Sequence, residues 1–195
     1  HITTQGATRI YKMESNYATH MVTLNLKDNS YLEFIPEQII PYKNSRFYQK
    51  TNLKIDDSST VVYSETIVPG RIAMGEMFDF DLCYLKTEGK INDRVQFRDS
   101  SLLSPKTQKI QSLAMFDDKT ILTSVYILTK KHVTKVNDMI NELFSHTQNI
   151  SGGSSILPND SGISIRILGN SSEDQKTTIY EILKIIRKEI LPEYL

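Results

Sequence analysis

Six carboxylates stand where this chain could put them to use: Glu33, Glu37, Glu65, Glu76, Asp79 and Asp81. Glu33 and Glu37 flank Phe34-Ile35-Pro36, a strand pattern ended by proline. Glu65 sits among apolar residues, three before a Val68-Pro69-Gly70-Arg71 turn. Between Glu65 and Glu76 the chain also holds Pro69, Gly70, Arg71 and Gly75. Proline fixes φ and removes a donor, while glycine opens positive φ, so this density marks forced backbone geometry. Paired carboxylates at such corners could hydrolyse a glycoside. Alternatively, hard oxygen ligands could hold a borderline divalent ion more weakly than thiolates or clustered imidazoles would. A third reading is structural, with Glu33, Glu65 and Glu76 paired to Arg46, Arg71 or Lys43, or facing solvent. Asp79 and Asp81 lie on a repeated acidic strand face and read as solvated. Arg71, between two glycines, reads as a clamp on a loop carboxylate.

Other chemistries find no support. No G-x-S-x-G is present, and His1, His20, His132 and His146 stand in unrelated contexts. Cys83 sits in a strand pattern and reads as a small core residue. Phosphate-loop, dinucleotide and zinc signatures are all missing. Any metal would therefore have to be held by carboxylates, amides and hydroxyls, and no high-affinity metal site is expected.

The elements that position these residues come next. The 195 residues carry 23 basic and 23 acidic side chains, so no charge excess points to nucleic acid or an anionic membrane. A single cysteine suits a reducing compartment, and a cytoplasmic location is expected. The length suits one domain, residues 1–195. The chain opens at His1-Ile2-Thr3-Thr4 as if in mid-strand, and a preceding β segment is expected to be missing.

Alternation over His20–Leu26 and over Phe47, Gln49, Thr51, Leu53 and Ile55 predicts half-buried strands, with Tyr48, Lys50, Asn52 and Lys54 on the opposite face. Asp28-Asn29 and Asp56–Ser59 read as turns, Tyr31–Ile35 and Thr60–Val68 as strands, and Pro36 and Pro41 exclude a regular central strand between them. Met77–Lys86 reads as a strand with Phe78, Phe80, Leu82 and Tyr84 on one face and Cys83 on the other. Glu88-Gly89 reads as its hairpin turn into Lys90–Arg98. Residues 99–118 read as a loop and Thr120–Leu128 as a strand. Val133 to Phe144 shows a helical stripe, Ser151–Ser155 a flexible loop, and Ile163–Leu168 an apolar strand. Ser172 with Gln175 reads as a capping box opening a last helix, with Ile179, Ile182, Leu183, Ile186 and Ile190 as its stripe and Pro192 as its stop. The predicted fold is mainly β (α+β), two stacked sheets with two helices in the C-terminal half.

Four stretches in order, Ile2–Tyr11 (ITTQGATRIY), Leu32–Glu37 (LEFIPE), Ser64–Phe78 with Glu65, Gly70-Arg71 and Gly75-Glu76, and Ile163–Gly169 (ISIRILG), resemble the UreD (UreH) family of urease accessory proteins. Residues 99–160 match that pattern weakly, and the family's N-terminal glycine-rich β segment has no counterpart here. The resemblance implies a non-enzymatic, β-rich scaffold with no catalytic residue and no tightly bound cofactor. Its expected partners are apo-urease subunits and the accessory protein UreF, with the GTPase UreG joining through UreF. Its implied role is chaperone-like metallocentre assembly in nitrogen metabolism, with Ni2+ only in transit, along a polar internal passage. Glu33, Glu37, Glu65, Arg71 and Glu76 match family-typical polar positions, either lining that passage or bracing loops. A carboxylate-based hydrolase is the alternative, and the absence of tryptophan weighs against a sugar platform.

Overall fold

The computed structural model describes residues 1–27 and 29–191. Asp28, in one expected turn, and Pro192, the expected helix stop, lie outside the described residues. Within them the chain forms two sheets and two helices. In chain order the strands are β1 (Thr8–Ile10), β2 (Ala18–Leu26), β3 (Tyr31–Phe34), β4 (Ile39–Pro41), β5 (Arg46–Ile55), β6 (Thr60–Ile67), β7 (Leu82–Ile91), β8 (Arg94–Leu103), β9 (Ile121–Leu128), β10 (Ile150–Ile156) and β11 (Gly162–Gly169). The helices are α1 (Val133–His146) and α2 (Ser172–Ile190). The larger sheet runs β1-β4-β6-β9-β11-β10, with β3 also on β6, and the smaller runs β2-β5-β7-β8.

The smaller sheet pairs β2, β5 and β7 in parallel. Each of these strands is linked to the next through strands of the other sheet, β3–β4 and then β6, which is why neighbours run the same way. On β5 the expected alternation holds residue by residue, with Phe47, Gln49, Thr51, Leu53 and Ile55 buried. Every residue of β6 is buried, because the larger sheet is covered on both faces.

Burial falls into three clusters. Val62, Val125, Ile127, Ile163, Ile165 and Ile167 of the larger sheet pack against Val136, Ile140, Ile182 and Ile186 of the helices. The other face of that sheet meets the smaller sheet through two clusters, one around Phe47, Ile67, Phe80 and Leu85, the other around Leu53, Val61, Tyr63, Phe97 and Tyr126. The helices thus add a third layer outside the two stacked sheets.

Six local expectations are corrected. Pro36 and Pro41 do not exclude a central strand: β4, Ile39–Pro41, lies between β1 and β6, and it tolerates Pro41 because it is only three residues long and pairs with β6 at Ile39 alone. The hairpin does not turn at Glu88-Gly89. Strand β7 runs on to Ile91, and Asn92 and Asp93, at φ of 48° and 60°, form the two-residue turn. Gly89 serves packing instead, since a Cβ there would stand 2.1 Å from the Phe97 ring. The strand expected from Met77 starts only at Leu82, and the chain bends at Asp81, between the two residues concerned, so Phe80 and Cys83 are both buried and Tyr84 faces outward. Ser151–Ser155 is strand β10, not a loop: the Asn141 side chain takes the place of a partner strand, bonding to Ser154 N and O at 2.9 and 3.2 Å. Strand β8 extends to Leu103, leaving the irregular stretch to begin at Ser104. The cap of α2 is Ser171, whose hydroxyl accepts from Asp174 N at 3.2 Å, while Ser172 bonds to Gln38. At the chain start, Ile2 makes a single bridge to Phe34 before β1 begins at Thr8.

Candidate functional site

Glu65 lies in β6 on the face toward the smaller sheet, level with Ser124 of β9 and Arg166 of β11. A serine between them leaves room above the sheet, and polar side chains fill it. Glu65 Oε2 accepts from Gln49 Nε2 of β5 at 3.1 Å and from the Tyr63 hydroxyl at 3.1 Å. Gln49 also donates to the Tyr63 oxygen at 3.0 Å, as does Thr51 at 3.1 Å. Glu65 Oε1 faces the Tyr126 hydroxyl at 3.5 Å. That hydroxyl has one proton and gives it to Asp99 of β8 at 2.8 Å, where Arg166 is also paired. At the other end, His20 Nδ1 is 3.0 Å from Gln49 Oε1 and therefore donates to it.

These contacts make one polar seam across an otherwise apolar sandwich, from exposed His20 to half-buried Arg166. A cavity of about 110 Å3 adjoins it, lined by His20, Glu37, Gln49, Tyr63, Glu65 and Thr66. Burial raises the Glu65 pKa above its ordinary 4.5, against the pull of Tyr63, Arg166 and Gln49. With Oε2 taking two donors, a proton on Oε1 would be given to the Tyr126 oxygen. Burial likewise lowers the Arg166 pKa, an effect opposed by the Glu65 charge.

The other carboxylates lie elsewhere. Glu33 on β3 is level with Val62, hence on the helix side of the same sheet. It is buried and takes Arg187 of α2 through Nε at 2.7 Å and Nη2 at 2.5 Å, with Tyr31 OH and His1 Nδ1 each at 2.7 Å. Burial alone would raise its pKa, but the bonds from Arg187 and Tyr31 outweigh burial and lower it. Glu37 pairs with Lys176 on the first turns of α2 at 2.9 Å. Glu76 accepts from Arg71 Nε at 2.8 Å and from Lys43 N at 3.1 Å, and the Arg71 guanidinium lies 4.0 Å from the centre of the Tyr42 ring. Glu33 and Glu65 thus sit on opposite faces, Glu37 reaches the seam cavity from its rim, and Arg71 with Glu76 closes a separate loop. Asp81, expected in solvent, instead holds Arg46 at 2.9 Å and also Lys106. Asp79 is half-buried.

Sequence reasoning passed over Tyr126, Asp99, Arg166 and Arg187. Arg166 carried a signal, as the one charge inside the run Ile163–Leu168. So did Gln49, at a core position of the β5 alternation. Among the described residues, no group of three or more His, Cys, Asp or Glu is placed to hold a metal ion. No helix among them is long and apolar enough to cross a membrane.

Comparison with known proteins matches residues 1–194 to the family described as UreD urease accessory protein. A urease accessory protein UreD of Cenarchaeum symbiosum is 34% identical over 192 residues, covering 97% of this chain and 67% of that protein. A urease accessory protein UreD 2 of Brucella canis is 35% identical over 201 residues, covering 99% and 67%. One from Yersinia pseudotuberculosis is 31% identical over 195 residues, covering 98% and 61%. The chain belongs to the UreD family.

Proposed function

We propose, from that membership, that this protein is a non-catalytic scaffold of urease maturation. It binds apo-urease and UreF, and it assists GTPase-dependent Ni2+ delivery, with UreG reaching it through UreF. The domain is residues 1–195, the setting the cytoplasm, and Ni2+ is cargo rather than a resident cofactor.

The observation that carries the passage is the seam between the sheets. A two-sheet interior is normally apolar, because a buried polar group costs free energy unless it is bonded. Here Gln49, Tyr63, Glu65, Tyr126, Asp99 and Arg166 form a connected polar line beside a cavity that His20 and Glu37 also line. A divalent ion moving along it would meet oxygen ligands one or two at a time. Such ligation is weak enough to release the ion. A hydrolase reading would need paired carboxyls at one cleft. Glu33 and Glu65 face opposite ways and cannot act on one bond, and Glu37, which lines the same cavity as Glu65, is already paired with Lys176.

The test is co-purification of the full-length protein with its urease subunits and UreF, followed by urease activation with Glu65→Gln. Co-elution with lost or slowed activation supports the reading. Failure to co-elute overturns the scaffold, and normal activation by a folded Glu65→Gln protein overturns the passage.

A further inference from the structure

The solvent face of the smaller sheet carries charge that the chain as a whole does not. Its register sets the side chains in rows. Thr19, Tyr48, Tyr84 and Leu102 form one row, and Met21, Lys50, Lys86 and Ser100 the next. Thr23, Asn52, Glu88 and Arg98 follow, and then Asn25, Lys54 and Lys90. Among the described residues the strands of this face hold six cations, Arg46, Lys50, Lys54, Lys86, Lys90 and Arg98, and one carboxylate, Glu88, while the full sequence is neutral; Arg46, at the apolar end, is paired with Asp81. Lys90 and Arg98 already share Glu88, at 3.1 and 2.5 Å. Lys50, Lys54 and Lys86 have no ion-pair partner among the described residues.

Two like-charge pairs stand directly across strands, Lys50 opposite Lys86 and Lys54 opposite Lys90. Such pairs destabilise a sheet. Fold stability therefore does not account for them. Beside them lies an apolar end, where the Tyr48 and Tyr84 rings pack at 5.4 Å and Met21 and Leu102 are 59% and 47% exposed. An apolar patch bordered by polar and charged residues is a feature of protein interfaces.

We propose that this face docks an acidic protein surface, steered by Lys50, Lys54 and Lys86 and anchored at Tyr48, Tyr84, Met21 and Leu102. The assignment rests on the scaffold reading and is separate from the passage. A second copy of this chain offers no complementary charge, because a two-fold contact brings together two faces of the same positive sign. Single-stranded nucleic acid fits less well, since the two tyrosines are half-buried against one another rather than free to stack bases.

The test uses the full-length protein, with purified apo-urease and purified UreF as probes. The variant Lys54→Glu/Lys86→Glu turns both like-charge pairs into opposite-charge pairs. Its melting temperature is expected to equal or exceed that of the wild type. Its association with one of the two probes is expected to slow about tenfold or more at low salt, and the wild-type rate should fall with added salt. Wild-type association with both probes that the reversal leaves unchanged overturns the docking assignment and leaves the scaffold standing. No wild-type association with either probe overturns both. Tighter binding of a short single-stranded RNA through the same lysines would also overturn it, in favour of nucleic acid.

Discussion

Glu33 and Glu65 belong to one sheet and point to opposite sides of it: Glu33 into the helix layer against Arg187, Glu65 into the space between the sheets against Gln49 and Tyr63. One carboxylate is held charged and the other is pushed toward neutrality. The two should respond oppositely to substitution and to pH.

The Glu33–Arg187 pair is lopsided. The Glu33 side chain is 2% exposed and that of Arg187 is 38%. Removing Arg187 strands a buried charge, whereas removing Glu33 lets the arginine turn to water. Arg187→Ala is therefore expected to cost about 3 kcal/mol, the low end for a broken buried pair. Glu33→Gln is expected to cost only about 1–2 kcal/mol. Because the folded Glu33 pKa lies below 4.5, the pair stabilises the fold above that pH and loses its effect as pH falls through the folded value. Urea unfolding of both variants at neutral and acid pH checks the order and the window.

Glu65 runs the other way. With its folded pKa raised, the native state holds a proton that the unfolded chain has released, so stability falls as pH rises from about 4.5 to the folded value. Glu65→Gln keeps an acceptor for Gln49 and Tyr63 and a donor toward Tyr126. It is expected to match the wild type below pH 4.5 and to exceed it at neutral pH. Glu65→Ala leaves the Tyr63 hydroxyl and the Gln49 amide short of an acceptor and should cost about 2–4 kcal/mol. A Glu65→Gln protein less stable than the wild type at neutral pH would contradict the seam's assigned protonation.

What the sequence showed and what it hid divide along chain distance. Period-two burial on β5, and the stripe from Ile179 to Ile190, depend on neighbours a few residues apart and were legible. The partner of Glu33 is 154 residues away, and no local pattern names it. Expected partners Arg46, Arg71 and Lys43 were chosen for nearness, and only Glu76 took two of them, Arg71 and the Lys43 backbone. Glycine misled twice for one reason: Gly89 and Gly152 read as turn and loop, yet each makes room for an aromatic ring from elsewhere, Phe97 and Phe144. Arg166 was passed over inside an apolar run, since its partner Asp99 lies in the other sheet, 67 residues away.

Gly70 tests the loop that Arg71 and Glu76 close. It has φ 136°, and a Cβ there would stand 3.0 Å from the Glu76 carbonyl oxygen and 3.3 Å from that of Pro41. Gly70→Ala combines backbone strain with a backbone contact and is expected to cost about 1–3 kcal/mol. Arg71→Ala breaks a half-buried clamp, but Glu76 keeps the Lys43 amide as a donor. It should leave the melting temperature unchanged while speeding hydrogen exchange at Gly75 and Glu76, whose amides bond back to Ile72 and Arg71.

Gly152 and Gly153 are neighbours on the edge strand β10 and should give opposite results. A Cβ on Gly152 would stand 2.3 Å from the Phe144 ring, which lies over the strand and closes the end of the helix layer. The ring must tilt away, and Gly152→Ala is expected to destabilise by about 1–2 kcal/mol. Gly153 has nothing within 4 Å of the same atom and no positive φ. Alanine there only narrows the unfolded ensemble and should be neutral or stabilising by about 0.5 kcal/mol. Thermal unfolding of the two single variants decides the matter. Equal effects would mean that this stretch is the flexible loop its glycines and serines suggest, and not a strand seated under Phe144.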